Sequence, residues 1–264
     1  MNLNDIRLIA FDIDGTLLNS NGECSAETMK RIHLLRDKGY IPTLVSGRTF
    51  NSVCGIARTI DIEGPFVAYN GAYVSMPDEE PLFSQPIPWE SVKPLLMELE
   101  NEEIYLKVYV DDTLYVEKKT EETLKFSKVH GVEFLETGIG GLSTLEKDPL
   151  KIVIIETPSK ILEIYEKLKP WGNAFKIYKE DRGIEIVHKE SNKAHGLRIL
   201  CQHYGISMNQ VMAFGNEGND LEMLTEAGIG VAMGNAPQYV QQSADIITKS
   251  NDEEGISWAL DMLR

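Results

Sequence analysis

The sequence predicts an α/β fold: a doubly wound, Rossmann-like parallel-sheet core with an inserted α+β cap domain. Three observations carry this. Short apolar runs alternate with helical stripes at both ends of the chain, the mark of strand–helix–strand crossovers. The middle instead reads as hairpins and lone helices. Five prolines from Pro65 to Pro88 and the acidic run Asp78-Glu79-Glu80 mark the seam where the pattern changes.

Taken in order, Leu8-Ile9-Ala10-Phe11 is a continuous apolar run, as expected of a strand buried on both faces. Ser25 is a good helix N-cap, and Met29, Ile32 and Leu35 make a stripe that stops at Gly39. Ile41 to Val45 reads as the next strand, Val53 to Ile60 as a helix, and Pro65 to Tyr69 as a third strand ending at Asn70-Gly71. Past the seam comes a helix near 90–100. A hairpin follows across Asp111-Asp112, then a helix near 121–129, a strand at Lys151 to Ile155 and a helix at Ser159 to Leu168. A second hairpin turns at Asp181-Arg182-Gly183. The alternating texture returns with a helix at 193–204, a strand at Val211 to Phe214 and a helix from Leu221. Strands at Ile229 and Asp245 follow, flanking a helix near Pro237. The expected domains are a core of 1–82 and 188–264 and an insert of 83–187.

Bulk properties narrow the function. The 264 residues carry 26 basic and 41 acidic side chains, a formal net charge of -15. Such a chain repels nucleic acid and anionic membrane, so neither is an expected partner. No apolar stretch approaches the roughly 18 residues of a membrane span, and the N-terminus lacks the basic and apolar blocks of a secretion signal. Cys24, Cys54 and Cys201 form neither a disulfide framework nor a zinc knuckle. A cytoplasmic protein with reduced thiols is expected. Nothing marks an oligomer interface.

In parallel sheets, ligands bind beyond the carboxyl ends of the strands. Four polar clusters fall there: Asp12-Ile13-Asp14-Gly15-Thr16, Ser46-Gly47-Arg48, Lys193 at a helix start, and Gly215 to Asp220. Two carboxylates at a buried strand end call for compensation, and a hard divalent cation such as magnesium supplies it. Asp-Gly turns and Ser-Gly turns also arise for local reasons alone. A lysine in a helix's first turn opposes the macrodipole unless something negative faces it. It is the coincidence of all four clusters that carries weight.

These clusters, in this order, resemble the four motifs of the haloacid dehalogenase superfamily. Tyr69-Asn70-Gly71-Ala72 and Gly230 to Ala236 resemble its Cof-like phosphatase branch, and the long stretch between Ser46 and Lys193 leaves room for that branch's large α/β cap. The resemblance implies a Mg2+-dependent phosphomonoester hydrolase acting on a small phosphorylated metabolite, sugar phosphates included. It implies that Asp12 is the nucleophile and Asp14 the acid and base. Ser46, Gly47, Lys193 and Asn219 would hold phosphoryl oxygens. Asp12, the Asp14 carbonyl and position 216 would hold the metal, with Arg48, Asn70 and Asp220 in support.

One departure stands out. The family pattern has Asp where this chain has Asn216. An amide oxygen is a weaker ligand for a hard cation than a carboxylate, so weaker magnesium binding is expected. That leaves open a phosphosugar-binding regulatory protein with weakened catalysis, and a phosphomutase, beside the hydrolase. The five histidines show no zinc spacing, and the loop Gly138-Ile139-Gly140-Gly141 lacks the strand and helix of a dinucleotide site. Which insert side chains meet substrate is not legible; Lys179, Arg182 and His188 are candidates.

Overall fold

The computed structural model describes residues 5–102 and 104–263. The chain divides into two compact units: Met1–Arg48, Val53–Phe83 and Asn192–Arg264 form the first, Thr49–Ser52 and Ser84–Ser191 the second.

The first unit is built on a five-stranded parallel sheet. Its spatial order is Ile246–Ile247, Ile229–Ala232, Val211–Gly215, Leu8–Phe11, Ile41–Leu44. Leu8–Phe11 is buried throughout, because neighbours pair with it on both edges and helices cover the sheet. From this strand the chain moves outward one way to Ile41–Leu44. The returning chain enters at Val211–Gly215 and moves outward the other way. The strand order therefore reverses between Leu8–Phe11 and Val211–Gly215, which opens a crevice at their carboxyl ends. The helix Ala26–Asp37 starts where Ser25 accepts from the Thr28 amide, and it buries Ile32 and Leu35. The helix Lys193–Tyr204 starts with Asn192 accepting from the His195 amide and ends at left-handed Gly205. No helix among the described residues is long and apolar enough to cross a membrane.

The run at 65–69 forms the expected strand but departs from expectation in its pairing. Phe66–Ala68 touches the parallel sheet through a single bridge, Val45 to Val67. It pairs instead with Tyr73–Ser75, antiparallel, in a small sheet completed by Phe83–Ser84. The reversal is made by Tyr69, Asn70 and Gly71, all left-handed at φ of 51°, 53° and 91°. Asn-Gly is a strong local signal for such a turn, and it prevailed over the crossover pattern. The strand at Tyr73–Ser75 and the last helix, Gly255–Leu260, were not anticipated.

The second unit is a six-stranded sheet in the order Phe175–Lys179, Gly183–His188, Lys151–Ile155, Tyr105–Val110, Thr113–Val116, Phe134–Glu136. Both anticipated hairpins are present and antiparallel. The short strand Phe134–Glu136, half exposed and paired in parallel with Thr113–Val116, carries too little apolar pattern to be read. Side chains alternate across the sheet. Leu106, Val108, Ile152, Ile154, Ile184 and Ile186 pack with Val92, Leu95, Leu96, Ile161 and Ile164 from the helices Trp89–Glu100 and Pro158–Leu168. The alternate set includes Lys107, Lys151 and Glu185. Lys151 Nζ donates to Glu185 Oε1 at 2.7 Å. Lys107 is 1% exposed, with its ammonium 3.7 Å from the centroid of the Phe126 ring.

Candidate active site

The residues of the four motifs and Asn70 lie in the first unit, whereas Lys179, Arg182 and His188 lie in the second. Asp12 follows the first strand, where its amide donates to the Phe214 carbonyl at 3.0 Å. Gly15 then turns the chain at φ 74°, and a Cβ on it would stand 2.5 Å from an amide atom of Asn216. Only glycine fits so close an approach.

The centre is a buried triad of charges. Lys193 Nζ donates to Asp12 Oδ1 at 2.6 Å and to Asp220 Oδ1 at 2.5 Å. Asp12 is 5% exposed, Lys193 1% and Asp220 0%. The helix that begins at Lys193 would repel this ammonium, so the two carboxylates supply the negative partner that the sequence demanded. An ammonium has three N–H donors, and these two bonds leave one for a third acceptor. Asp220 is fixed in turn: its Oδ2 accepts from the amides of Asn216 and Glu217, both at 2.9 Å. The Asp12 carboxyl is raised to about 7: burial pushes it up, Lys193 pulls it down, and Asp220 and Asp14 push it up. Burial alone would push Lys193 down, but Asp12 and Asp220 win and hold it above the ordinary lysine value.

The remaining residues close a ring around the triad. Arg48 donates to both carboxylate oxygens of Asp14, from Nε at 2.7 Å and from a terminal nitrogen at 2.6 Å. The Arg48 amide donates to Ser46 Oγ at 3.2 Å, which curls the Ser46-Gly47-Arg48 loop. Behind it, the Tyr69 and Asn70 amides donate to the carbonyls of Arg48 and Ser46, each at 3.0 Å. The strained left-handed turn therefore backs this loop. Asn219 Nδ2 donates to Asn70 Oδ1 at 3.0 Å and so joins the loop to the 215–220 segment. Gly47 enters through its two chain neighbours.

Asn216 closes the ring. One end of its carboxamide meets three oxygens: Thr16 Oγ1 at 2.8 Å, Asp14 carbonyl at 2.9 Å and Asp12 Oδ2 at 3.2 Å. Ligands side by side on an octahedral magnesium, each about 2.1 Å from the ion, lie about 3 Å apart. The Asp12 carboxylate, the Asp14 carbonyl and the Asn216 carboxamide oxygen therefore fit a small hard cation in spacing and in chemistry. No cluster of three His, Cys, Asp or Glu side chains suits a metal among the described residues. That agrees with a donor set that uses one backbone carbonyl and one amide.

Thr16 has a place here that its position in the first motif alone did not disclose. In the second unit, Lys179 and Arg182 are exposed, and His188 Nδ1 accepts from the Glu190 amide at 3.2 Å. Among the described residues there, the buried charges are Lys107 and Lys151, which the sequence shows only as polar letters within strands.

A family model described as haloacid dehalogenase-like hydrolase matches residues 9–260. The stress response protein YhaX of Bacillus subtilis (strain 168) is 30% identical, over 96% of this chain and 92% of its own. The 5-amino-6-(5-phospho-D-ribitylamino)uracil phosphatase YitU of the same organism is 29% identical, over 95% of this chain and 94% of its own. Among solved structures, a sugar phosphatase of HAD subclass IIB superposes with a TM-score of 0.84 at 25% identity, over 97% of this chain and 98% of its own.

Proposed function

The chain belongs to the haloacid dehalogenase-like hydrolases, and we propose that it is a magnesium-dependent phosphatase of small phosphorylated metabolites, sugar phosphates among them, working through an aspartyl-phosphate on Asp12. The observation that carries this is the buried triad. A carboxylate at the strand-order reversal, 2.6 Å from a lysine ammonium, is a nucleophile set beside a phosphoryl-binding charge.

In the first half-reaction a carboxylate oxygen of Asp12 bonds to phosphorus, and the bond to the substrate's alkoxide oxygen breaks. Asp14, as the carboxylic acid, gives that oxygen its proton. In the second, water attacks phosphorus, Asp14 takes a proton from it, and Asp12 leaves as carboxylate with inorganic phosphate released. Lys193 uses its remaining N–H on a phosphoryl oxygen, with Ser46, Gly47 and Asn219 donating to the others. Asp220 keeps Lys193 aimed. Asp12, the Asp14 carbonyl and Asn216 would hold magnesium, which when bound would neutralise phosphoryl charge and favour the ionised nucleophile. The second unit is the expected source of substrate choice; the relative YitU, which is named for a phosphorylated ribityl compound, supports a polyol or sugar phosphate.

Phosphate release from p-nitrophenyl phosphate and from a panel of phosphorylated sugars and polyols, with magnesium, tests this reading. Turnover abolished in Asp12→Asn is expected. Asn216 favours a second reading, in which the chain binds such a compound and hardly turns it over; tight binding without phosphate release at any magnesium concentration would select it.

A further inference from the structure

Asn216 stands at one corner of the candidate cation site, and its carboxamide has two ends. With the oxygen turned inward it accepts from the Thr16 hydroxyl at 2.8 Å, and it faces the Asp14 carbonyl and Asp12 Oδ2 as one oxygen against two. Three oxygens so close repel unless a cation sits among them. With the nitrogen turned inward the same contacts become hydrogen bonds, to Asp14 carbonyl at 2.9 Å, Asp12 Oδ2 at 3.2 Å and Thr16 Oγ1 at 2.8 Å. Neither orientation moves a heavy atom appreciably, because amide oxygen and nitrogen are nearly isosteric. The torsion that exchanges them is a soft two-fold one.

We propose that Asn216 is a rotor that caps its own metal site: the amide nitrogen fills the cation's role when none is bound, and the carboxamide oxygen turns in as a ligand when one arrives. The inference rests on the reading of this site as a magnesium-dependent one and says how this chain departs from the family pattern. Thr16 is the pivot. Its hydroxyl donates to the oxygen in one state and accepts from the nitrogen in the other. The side chain has no third choice. Asn216 is 5% exposed, and its amide is pressed against Gly15 too closely for a Cβ there. An aspartate at 216 has no donor end. Without a cation it would set a third carboxylate beside Asp12 and Asp220, with only Lys193 between them. An Asp-bearing site therefore needs its cation for stability as well as for chemistry, whereas this one is satisfied without it. The consequence is a cation that binds weakly and exchanges freely, because its arrival displaces hydrogen bonds already made.

The test does not use activity. Thermal unfolding and magnesium titration are compared for the parent chain and Asn216→Asp, each stripped with a chelator. The parent should shift little in Tm on adding magnesium. The variant should melt at least about 5 °C lower when stripped, recover with magnesium, and bind the ion at least about tenfold more tightly. Equal Tm values for the two stripped proteins, with equal magnesium shifts, would overturn the proposal. Should the variant not fold, the parent itself answers by 15N-resolved NMR. The Asn216 side-chain NH2 should be protected from exchange without magnesium and lose protection as magnesium is added. An NH2 that exchanges freely in the stripped protein contradicts the cap. Failure of the rotor with turnover intact and lost in Asp12→Asn would leave the phosphatase reading standing. Absence of turnover with the rotor behaviour present would remove the phosphatase reading alone.

Discussion

Arg48 grips both carboxylate oxygens of Asp14, at 2.7 and 2.6 Å, in a two-pronged ion pair at the mouth of the site. The Asp14 side chain is 61% exposed, so the pair adds little to stability. It does fix where the Asp14 carboxyl points, and under the proposed mechanism that group protonates the leaving oxygen. Asp14→Asn should therefore fold like the parent. Its kcat should fall by about 10²–10⁴ on an alkyl phosphate and by much less on p-nitrophenyl phosphate, whose leaving group needs no proton. Equal losses on both substrates would remove the acid role from Asp14.

Asp220 is a stability residue as much as a site residue. It is fully buried, and its two oxygens serve Lys193 and the amides of Asn216 and Glu217. Removing it leaves Lys193 with Asp12 alone and strips the Asn216 and Glu217 amides of their acceptor. Asp220→Ala should lower unfolding free energy by about 3–5 kcal/mol in urea denaturation. A loss under about 1 kcal/mol would mean that the triad is wetter than the geometry indicates.

Gly71 shows that the turn behind the Ser46-Gly47-Arg48 loop is sterically required. A Cβ there would sit 1.9 Å from the Asn192 carbonyl oxygen, at φ 91°. Asn192 caps the helix that carries Lys193. Gly71→Ala should lose well over about 1 kcal/mol, beyond backbone strain alone. Gly22→Ala is the control, since Gly22 has φ 77° and nothing within 4 Å of its Cβ position. Similar losses at the two positions would dismiss the steric argument.

Lys107 predicts a pH dependence. Its ammonium is lowered to about 8: burial pushes it down, Glu122 pulls it up and Lys151 pushes it down. The folded value lies below the unfolded one, so between about 8 and about 10.4 the unfolded chain binds more protons and stability rises with pH. The penalty is present in full below that window. Lys107→Met should raise Tm at pH 7, by a margin that shrinks toward pH 10. A gain that does not change with pH would show that packing, not charge, is responsible.

Much of the core was legible because its signals are local. Leu8–Phe11 is apolar on both faces, Ser25 caps a helix, and Asp12, Ser46, Lys193 and Asp220 fall at strand ends or a helix start, where a parallel sheet collects its ligands. The strand at 65–69 was legible but its sheet was not, because the Asn70-Gly71 turn competes with the crossover pattern and only pairing decides between them. Asn216 could be seen as a lost charge, but its position against Asp12 and the Asp14 carbonyl is a matter of distance. Lys107 was invisible for a related reason: a lysine in an alternating strand normally faces water, and its burial beside Phe126 is a matter of packing.

Asp12 is expected to carry the phosphoryl group during turnover. Enzyme mixed with excess substrate and magnesium, quenched in acid during turnover and reduced with borohydride, reports this directly, because borohydride converts an acyl phosphate on aspartate to homoserine. Peptide mass spectrometry should find homoserine at position 12, and none in enzyme quenched without substrate. Phosphate release with position 12 unmodified, or with homoserine formed at another residue, would remove the nucleophile role from Asp12.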